Sequence, residues 1–473
     1  MASASDPASR HLLNNDAPSP LESPAKDAPA IAQMEREPFK PNTVSSTAAE
    51  SAAPPFAMVD YAAFLALGMA MLWPWNCFLS AAAYFQDRFE ERPYLRDNFL
   101  SFVMTTSTIT STAFMFILSH RQKSARYTFR IWCAQIINIT DFTLLAVASL
   151  AGTSFALTPY FVYLMISVFF SALATSLSQN GAFAIANLFT PLYTQAIMVG
   201  QAIAGVLPSI AQILTVVSVE STISDSGGQA TSSLSSFIYF LTATGVIVVA
   251  FLLYMSFYRR HRAILGHAVF PVDTANDFEA NFDPIPQHHA RKHVPLLLLL
   301  RKLYYSAFAV AFTFLVTMLF PVFAGNTLSV NYVEGVSSAA SWLRPNVFIP
   351  LAFLIWNLGD LFGRLICGSP KYLIRSPPKL AVIALARALF IPLFLGCNIH
   401  GNGSVINSDF VYMMLQLLFG ISNGYVASCT MMGAEFFVEQ DEREATGGFM
   451  GLALNVGLAG GSISSFVLVA IIS

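Results

Sequence analysis

The chain reads as an all-α membrane protein with eleven transmembrane helices, and three observations carry that reading. Of its 473 residues, 55% are hydrophobic and only 11% are charged, where soluble domains carry about 25% charged residues. Apolar stretches of roughly 20 residues, the length that crosses a bilayer, begin near Val59, Asn98, Phe129, Tyr160, Thr194, Ser235, Leu303, Asn346, Ala381, Phe410 and Ala445. Lysine and arginine gather in alternate loops, the asymmetry that sets orientation in multi-span proteins.

Residues 1–56 differ from the rest. They are rich in Ala, Ser, Pro and Asp and poor in large apolar residues, so they bury too little surface to order themselves. They lack the basic start and apolar core of a signal peptide and read as a disordered cytosolic tail. With that tail inside, one set of loops carries Arg121, Lys123, Arg126, Arg130, then Arg259, Arg260, Arg262, Arg291, Lys292, Arg301, Lys302, then Lys371, Arg375, Lys379, and finally Arg443. The opposite loops carry Arg88, Arg92, Arg96 and Arg344. The N-terminus is therefore expected in the cytosol and the C-terminus outside it. The sequon Asn402-Gly403-Ser404 then falls on the outer side, as glycosylation requires. The longest inner loop divides the chain into a six-helix bundle (57–258), a linker (259–302) and a five-helix bundle (303–473). That linker mixes Asp273, Asp277, Glu279 and Asp283 with His288, His289 and His293 and reads as a solvated connection rather than a metal site.

Composition also excludes functions. A net charge of −2 marks no nucleic-acid partner. The five cysteines (Cys77, Cys133, Cys367, Cys397, Cys429) lie scattered in apolar stretches. Their spacing is neither a disulfide framework nor a metal site, and they read as small core hydrophobes. The sequence holds no Walker loop, nucleophile elbow, HExxH or paired-carboxylate motif, so neither catalysis nor a cofactor is expected.

The informative residues are polar groups within the spans, because each is unfavourable in hydrocarbon unless it serves a purpose. In span one, Trp73-Pro74-Trp75-Asn76 is expected to interrupt the helix, since proline removes a backbone donor. Broken helices line substrate paths in transporters, and a tryptophan face suits a flat ring. Span three holds Asp141, without an evident partner. Span four carries Ser176, Ser178, Gln179, Asn180 and Asn187, and span five Gln195 and Gln201. Such amides suit nucleobase edges and serve equally as interhelical glue.

Span eight is the richest. Asn357, Asp360 and Arg364 stand at i, i+3 and i+7 on one helix face, with Phe353 four residues earlier, and Asp360 and Arg364 are spaced to pair. Two readings stand for Arg364: a cavity-facing site residue, or a side chain snorkelling to the cytosol. Snorkelling is also the simple reading of Arg387 in span nine. In span ten (Ser422-Asn423-Gly424-Tyr425) and span eleven (Gly447-x3-Gly451, Gly457-x3-Gly461) the small residues read as close-packing positions.

Taken in order, these segments resemble the equilibrative nucleoside transporters. The resemblance rests on Leu72-Trp73-Pro74-Trp75-Asn76 with Tyr84-Phe85, Gln179, and Gly200-Gln201-Ala202-Ile203-Ala204-Gly205. It continues through Asn357-x2-Asp360-x2-Gly363-Arg364, Ala386-Arg387-x-Leu389-Phe390-Ile391-Pro392-Leu393-Phe394 and Ser422-Asn423-Gly424-Tyr425-Val426-Ala427-Ser428. It covers the chain from about residue 60 to the end, and its Trp-Pro-Trp-Asn wording looks more like fungal members.

The resemblance implies a major-facilitator-like fold of 6+5 helices and passive, alternating-access transport of nucleosides, often nucleobases too. It implies that Leu72, Trp75, Leu79, Met104 and Leu458 line the cavity and that Gln179 bonds the base edge. Asp360 and Arg364 would meet the ribose hydroxyls, with Asn357 and Phe353 beside them. The expected partners are a nucleoside and the lipid bilayer, with the protein acting as a monomer in the vacuolar or plasma membrane. Proton coupling, and transport of organic cations or drugs on the same fold, are the alternatives the sequence leaves open.

Overall fold

The computed structural model describes residues 56–80, 85, 88–121, 125–150, 156–222, 228–267, 294–332, 341–401, 403 and 405–472. The N-terminal tail through residue 55, the histidine-bearing part of the linker, Tyr84, and Asn402 and Ser404 of the sequon lie outside the described residues.

Long helices follow the apolar stretches in order. They are α1 (Met58–Ser80), α2 (Pro93–His120), α3 (Tyr127–Leu150), α4 (Leu157–Phe189), α5 (Pro191–Thr222) and α6 (Gly228–Arg260). After the linker come α7 (Leu296–Thr317), α8 (Pro345–Ile366), α9 (Pro377–Ala386), α10 (Asp409–Gly433) and α11 (Arg443–Ile472). Among the described residues, ten segments are long and apolar enough to cross a membrane. The amide-rich α5 is not one of them, but its 32 residues span about 48 Å at 1.5 Å per residue, more than a hydrocarbon core.

Local sequence explains the helix ends. Pro93, Pro345 and Pro377 stand in the first turns of α2, α8 and α9, where the missing N–H is no loss. Ser408 caps α10 by accepting from the backbone N–H of Val411. Pro392 lies just beyond the 3-10 turn Arg387–Leu389, where its ring disfavours a regular helix through the preceding turn. Pro74 behaves differently from expectation. It does not interrupt α1, which runs unbroken from Met58 to Ser80 with the proline inside it. Asn76 braces this turn, donating to the carbonyls of Leu72 at 3.0 Å and of Ala204 at 2.8 Å.

The first six helices pack chiefly as α1 on α5 and α6, α3 on α4 and α6, and α2 on α4. In the last five, α8 lies along α10 while α7 meets α9, α10 and α11. The sets meet where α5 packs on α8 and α10, and where α11 packs on α2 and α4. Phe78, Phe85, Phe99, Phe142 and Phe240 form a core within the first six helices. Phe320, Phe348, Phe394 and Phe419 form one within the last five. Outward-facing Ile109, Val382, Ile463 and Phe466 remain exposed. Apolar groups so exposed mark a surface whose solvent is lipid.

Close helix contact sets the register of α8 against α10. A β-carbon at Gly359 or Gly363 would overlap the backbone of Leu417 or Ile421, and one at Gly420 or Gly424 would overlap that of Trp356 or Asp360. With no side chain between them the two backbones touch, which brings Asp360 opposite Asn423. Gly447, Gly457 and Gly461 likewise meet the backbones of Phe183, Ala311 and Leu315, in the packing role expected of span eleven.

Candidate functional site

Asp360 and Arg364 occupy adjacent turns of α8 and pair: Arg364 Nε donates to Asp360 Oδ2 at 2.8 Å. Both are almost wholly buried, 3% and 4% exposed. Arg364 does not snorkel, because better acceptors lie across the helix interface than at the helix end. Its Nη1 donates to the backbone carbonyl of Met198 at 2.6 Å and to Gln201 Oε1 at 3.4 Å, both on α5. The arginine thus ties the last five helices to the first six. Burying two charges is unfavourable unless geometry and further hydrogen bonds compensate, and here both conditions are met.

The other carboxylate oxygen is held from α10. Asn423 Nδ2 donates to Asp360 Oδ1 at 2.6 Å. Asn423 Oδ1 lies 2.6 Å from the Thr317 hydroxyl of α7, which in turn accepts from Arg387 Nη2 at 3.1 Å. Arg387 also donates to the Thr313 carbonyl at 2.7 Å and to Ser422 Oγ at 3.1 Å, and its guanidinium stacks 4.6 Å above the Phe419 ring. At 1% exposure, Arg387 is an interior residue, contrary to the snorkelling expected of it. The hydroxyls and carbonyls of α7 and α10 satisfy it in place.

Asn357, half-buried one turn before Asp360, donates to Ser209 Oγ of α5 at 3.1 Å and to the Phe353 carbonyl at 2.9 Å. Phe353 sets its ring edge against Phe320, 5.1 Å between centroids. Gln179 of α4 is buried and accepts from Asn455 Nδ2 of α11 at 3.3 Å. Leu72 and Trp75 are half-buried against the core of the first six helices, and Leu458 against the core shared by both sets. Met104 is half-buried on α2 and takes no part in the polar contacts above. Leu79 is on α1, with its side chain outside the described residues. Met71, beside Leu72, links the walls: its carbonyl accepts from Thr175 of α4 at 3.3 Å, and its sulfur lies 3.8 Å from Gln201 Nε2.

The structure therefore bonds Asn357 and Arg364 to α5, Asp360 to α10, and Gln179 to α11. Sequence reasoning missed Thr317, Met198, Ser209 and Asn455. Only Asn455 gave a signal, as a lone amide in an apolar stretch. Asn423 was visible but read as a packing position.

Further hydrogen bonds join the first six helices to the last five at the end where α1 begins. Gln195 of α5 donates to the carbonyl of Arg364 at 3.0 Å, and Ser119 and Asn187 reach the carbonyls of Gly448 and Arg443 on α11 at 3.1 and 3.4 Å. At the same end, Asp60 is held by Arg260 at 2.6 Å and His261 at 2.7 Å. Among the described residues, no group of three or more His, Cys, Asp or Glu side chains could hold a metal ion.

Comparison with known proteins places this arrangement. A family model described as "Nucleoside transporter" matches residues 165–470. The chain is 34% identical to the nucleoside transporter FUN26 of Saccharomyces cerevisiae over 454 residues, covering 88% of this chain and 84% of that one. It is 26% identical to the Homo sapiens equilibrative nucleoside transporter 1, covering 86% of this chain and 96% of the relative. Among solved structures the fold is similar to a bacterial homologue of the iron transporter ferroportin (TM-score 0.51, 11% identity, covering 88% of this chain and 97% of that one). It is also similar to the major facilitator superfamily transporter FucP (TM-score 0.50, 12% identity, covering 87% and 96%). The helical fold is therefore that of the major facilitator transporters, and by sequence the chain belongs to the nucleoside transporter family.

Proposed function

We infer that the protein carries nucleosides across a membrane by facilitated, alternating-access transport, with Asp360 as the acceptor for the sugar hydroxyls. The observation that carries the site assignment is the bonding of that carboxylate. Each of its oxygens receives one donor, Arg364 on Oδ2 and Asn423 on Oδ1. An ionised carboxylate offers about four lone-pair sites, so each oxygen retains capacity for one more donor. Two adjacent acceptors suit two adjacent hydroxyls, and a ribose presents such a pair. The charge is already balanced by Arg364, which favours a neutral polyol over an organic cation.

The remaining expected residues form the walls in this reading. Trp75 and Leu72 offer an aromatic and apolar face to the base, Gln179 an amide to its edge, and Phe353, Asn357 and Leu458 complete the enclosure. Met104 belongs to the same wall in this reading. The described hydrogen bonds between the first six and last five helices cluster toward the end where α1 begins. This is the arrangement of a carrier closed at that end, with α1–α6 and α7–α11 as the two units that rock. In this reading that end faces the cytosol, as the loop charges favour, and the membrane is the vacuolar or plasma membrane, as the family resemblance suggests.

Uptake of radiolabelled uridine or adenosine into liposomes holding the purified protein tests the reading. Uptake that saturates, reaches the external concentration and stops there is expected, and Asp360→Ala abolishes it without loss of folding. Accumulation above the external concentration under an imposed proton gradient would replace facilitation by coupling, and no uptake at all would overturn the assignment.

A further inference from the structure

We propose that Arg387, acting through Thr317 and Asn423, is a positioning residue that holds Asp360 ready for the substrate's hydroxyls. This rests on the assignment of Asp360 to the substrate, and goes beyond it by naming what orients the carboxylate from behind.

The chain of bonds has one permitted direction. A guanidinium donates and never accepts, so Thr317 Oγ1 must accept from Arg387 Nη2 at 3.1 Å. The single hydroxyl proton of Thr317 then goes to Asn423 Oδ1 at 2.6 Å or to the Thr313 carbonyl at 2.7 Å. The Thr313 carbonyl already accepts from Arg387 Nη1 at 2.7 Å, which favours the amide. With Oδ1 facing a hydroxyl, Asn423 turns Nδ2 to Asp360 Oδ1 at 2.6 Å. The reverse amide orientation would set two acceptor oxygens against each other. Every link therefore donates toward the carboxylate, and the order runs arginine, threonine, asparagine, aspartate across four helices.

The relay is buried throughout. Arg387 and Asn423 are 1% exposed and Thr317 7%, so water does not readily replace a missing link. Arg387 is further fixed by Ser422 and by the Phe419 ring. Arg364 serves the other carboxylate oxygen. The two arginines thus serve different oxygens of Asp360, Arg364 directly on Oδ2 and Arg387 through the relay on Oδ1.

The discriminating experiment compares uptake of uridine with that of 2′,3′-dideoxyuridine, which lacks both hydroxyls, in liposomes. The proteins are the wild type, Asp360→Asn, Thr317→Val, Arg387→Met and Arg387→Lys. A lost hydrogen bond to a charged group is worth about tenfold or more in binding. Thr317→Val and Arg387→Met are expected to raise KM for uridine about tenfold, leave kcat unchanged and leave dideoxyuridine transport as in the wild type. Arg387→Lys, which keeps charge and donors, restores much of the loss. If both variants keep wild-type KM for uridine while Asp360→Asn raises it, the relay is wrong and the role of Asp360 stands. If the variants lose both substrates equally, Arg387 and Thr317 are structural and the proposal falls. If Asp360→Asn itself fails to discriminate the two substrates, the assignment of Asp360 falls and the relay with it. Should Arg387→Met not fold, the near-isosteric Thr317→Val carries the test alone.

Discussion

Gln195 of α5 donates its amide to the backbone carbonyl of Arg364 at 3.0 Å, with the Leu365 carbonyl at 3.4 Å. The last carbonyls of a helix lack intrahelical partners, and here a residue of the first six helices supplies one to α8. Tyr61 fixes the same side chain by donating to Gln195 Oε1 at 3.3 Å. The junction therefore consists of one amide on two carbonyls of the last turn of α8, a contact that can be exchanged for water when the halves separate.

Gln195→Leu removes that contact and is expected to favour opening at this end. The lost hydrogen bond is worth about 1 kcal/mol, a shift of roughly fivefold in the closed-to-open ratio. Spin labels at Leu192 and Lys371 would show a longer, broader distance distribution in the variant. An unchanged distribution would mean that Gln195 contributes nothing to closure.

Gly424→Ala places a β-carbon against the Asp360 carbonyl, within a pair of helices already in backbone contact. Forcing an extra carbon into such a contact destabilises by about 1–3 kcal/mol and moves Asp360 away from Asn423. Both the melting temperature in detergent and nucleoside uptake should fall. Gly433→Ala, where nothing lies within 4 Å of the added carbon, is the control and should be tolerated. Equal melting temperatures for the two variants would contradict this account of the helix pair.

Lys302 reaches both oxygens of the buried Glu442 at 2.7 Å, joining α7 to the turn before α11. Lys302→Met leaves a buried carboxylate without its partner, a change that destabilises by about 3–5 kcal/mol in fully buried pairs. Lys302 is partly exposed, so the lower end of that range or less is expected. The double variant Lys302→Met with Glu442→Leu should recover most of the loss, because no uncompensated charge remains. Additive melting-temperature losses would show that the two residues act independently.

Asp60 begins α1 and holds both Arg260 and His261 at the end of α6. Asp60→Asn keeps the shape but removes the charge. A loss of about 1 kcal/mol is expected, since Arg260 is more than a third exposed and solvent screens the pair. Proteolysis near residue 260 should become faster in the variant. An unaltered rate would show that packing of Phe189 and Phe257 on His261 suffices to hold this end.

Part of the site was legible and part was not, for physical reasons that particular residues make plain. The spacing of Asp360 and Arg364 on one helix face allowed their pairing to be foreseen, because i, i+4 neighbours meet on any helix. The fate of Arg387 was not foreseeable. A long cationic side chain near a helix end can reach water or turn inward, and only the positions of Thr313, Thr317 and Ser422 on other helices decide which. Pro74 taught the same lesson in reverse. Its missing N–H argued for a broken helix, yet α1 continues, braced by Asn76 against the carbonyl of Ala204 on α5.

The sequence by itself determined the solvent, the order of the helices, the family and the charged face of α8. Each follows from local quantities: apolar length, charge content and residue spacing. The tertiary structure alone decided which donors meet which oxygens of Asp360, where Arg364 points and what lies behind Asn423. Those contacts join residues tens to more than a hundred and fifty positions apart, such as Met198 and Arg364 or Thr317 and Asn423. The α8–α10 contact that sets Asp360 opposite Asn423 exists because glycine-lined helices approach to backbone contact, a distance that no single helix encodes.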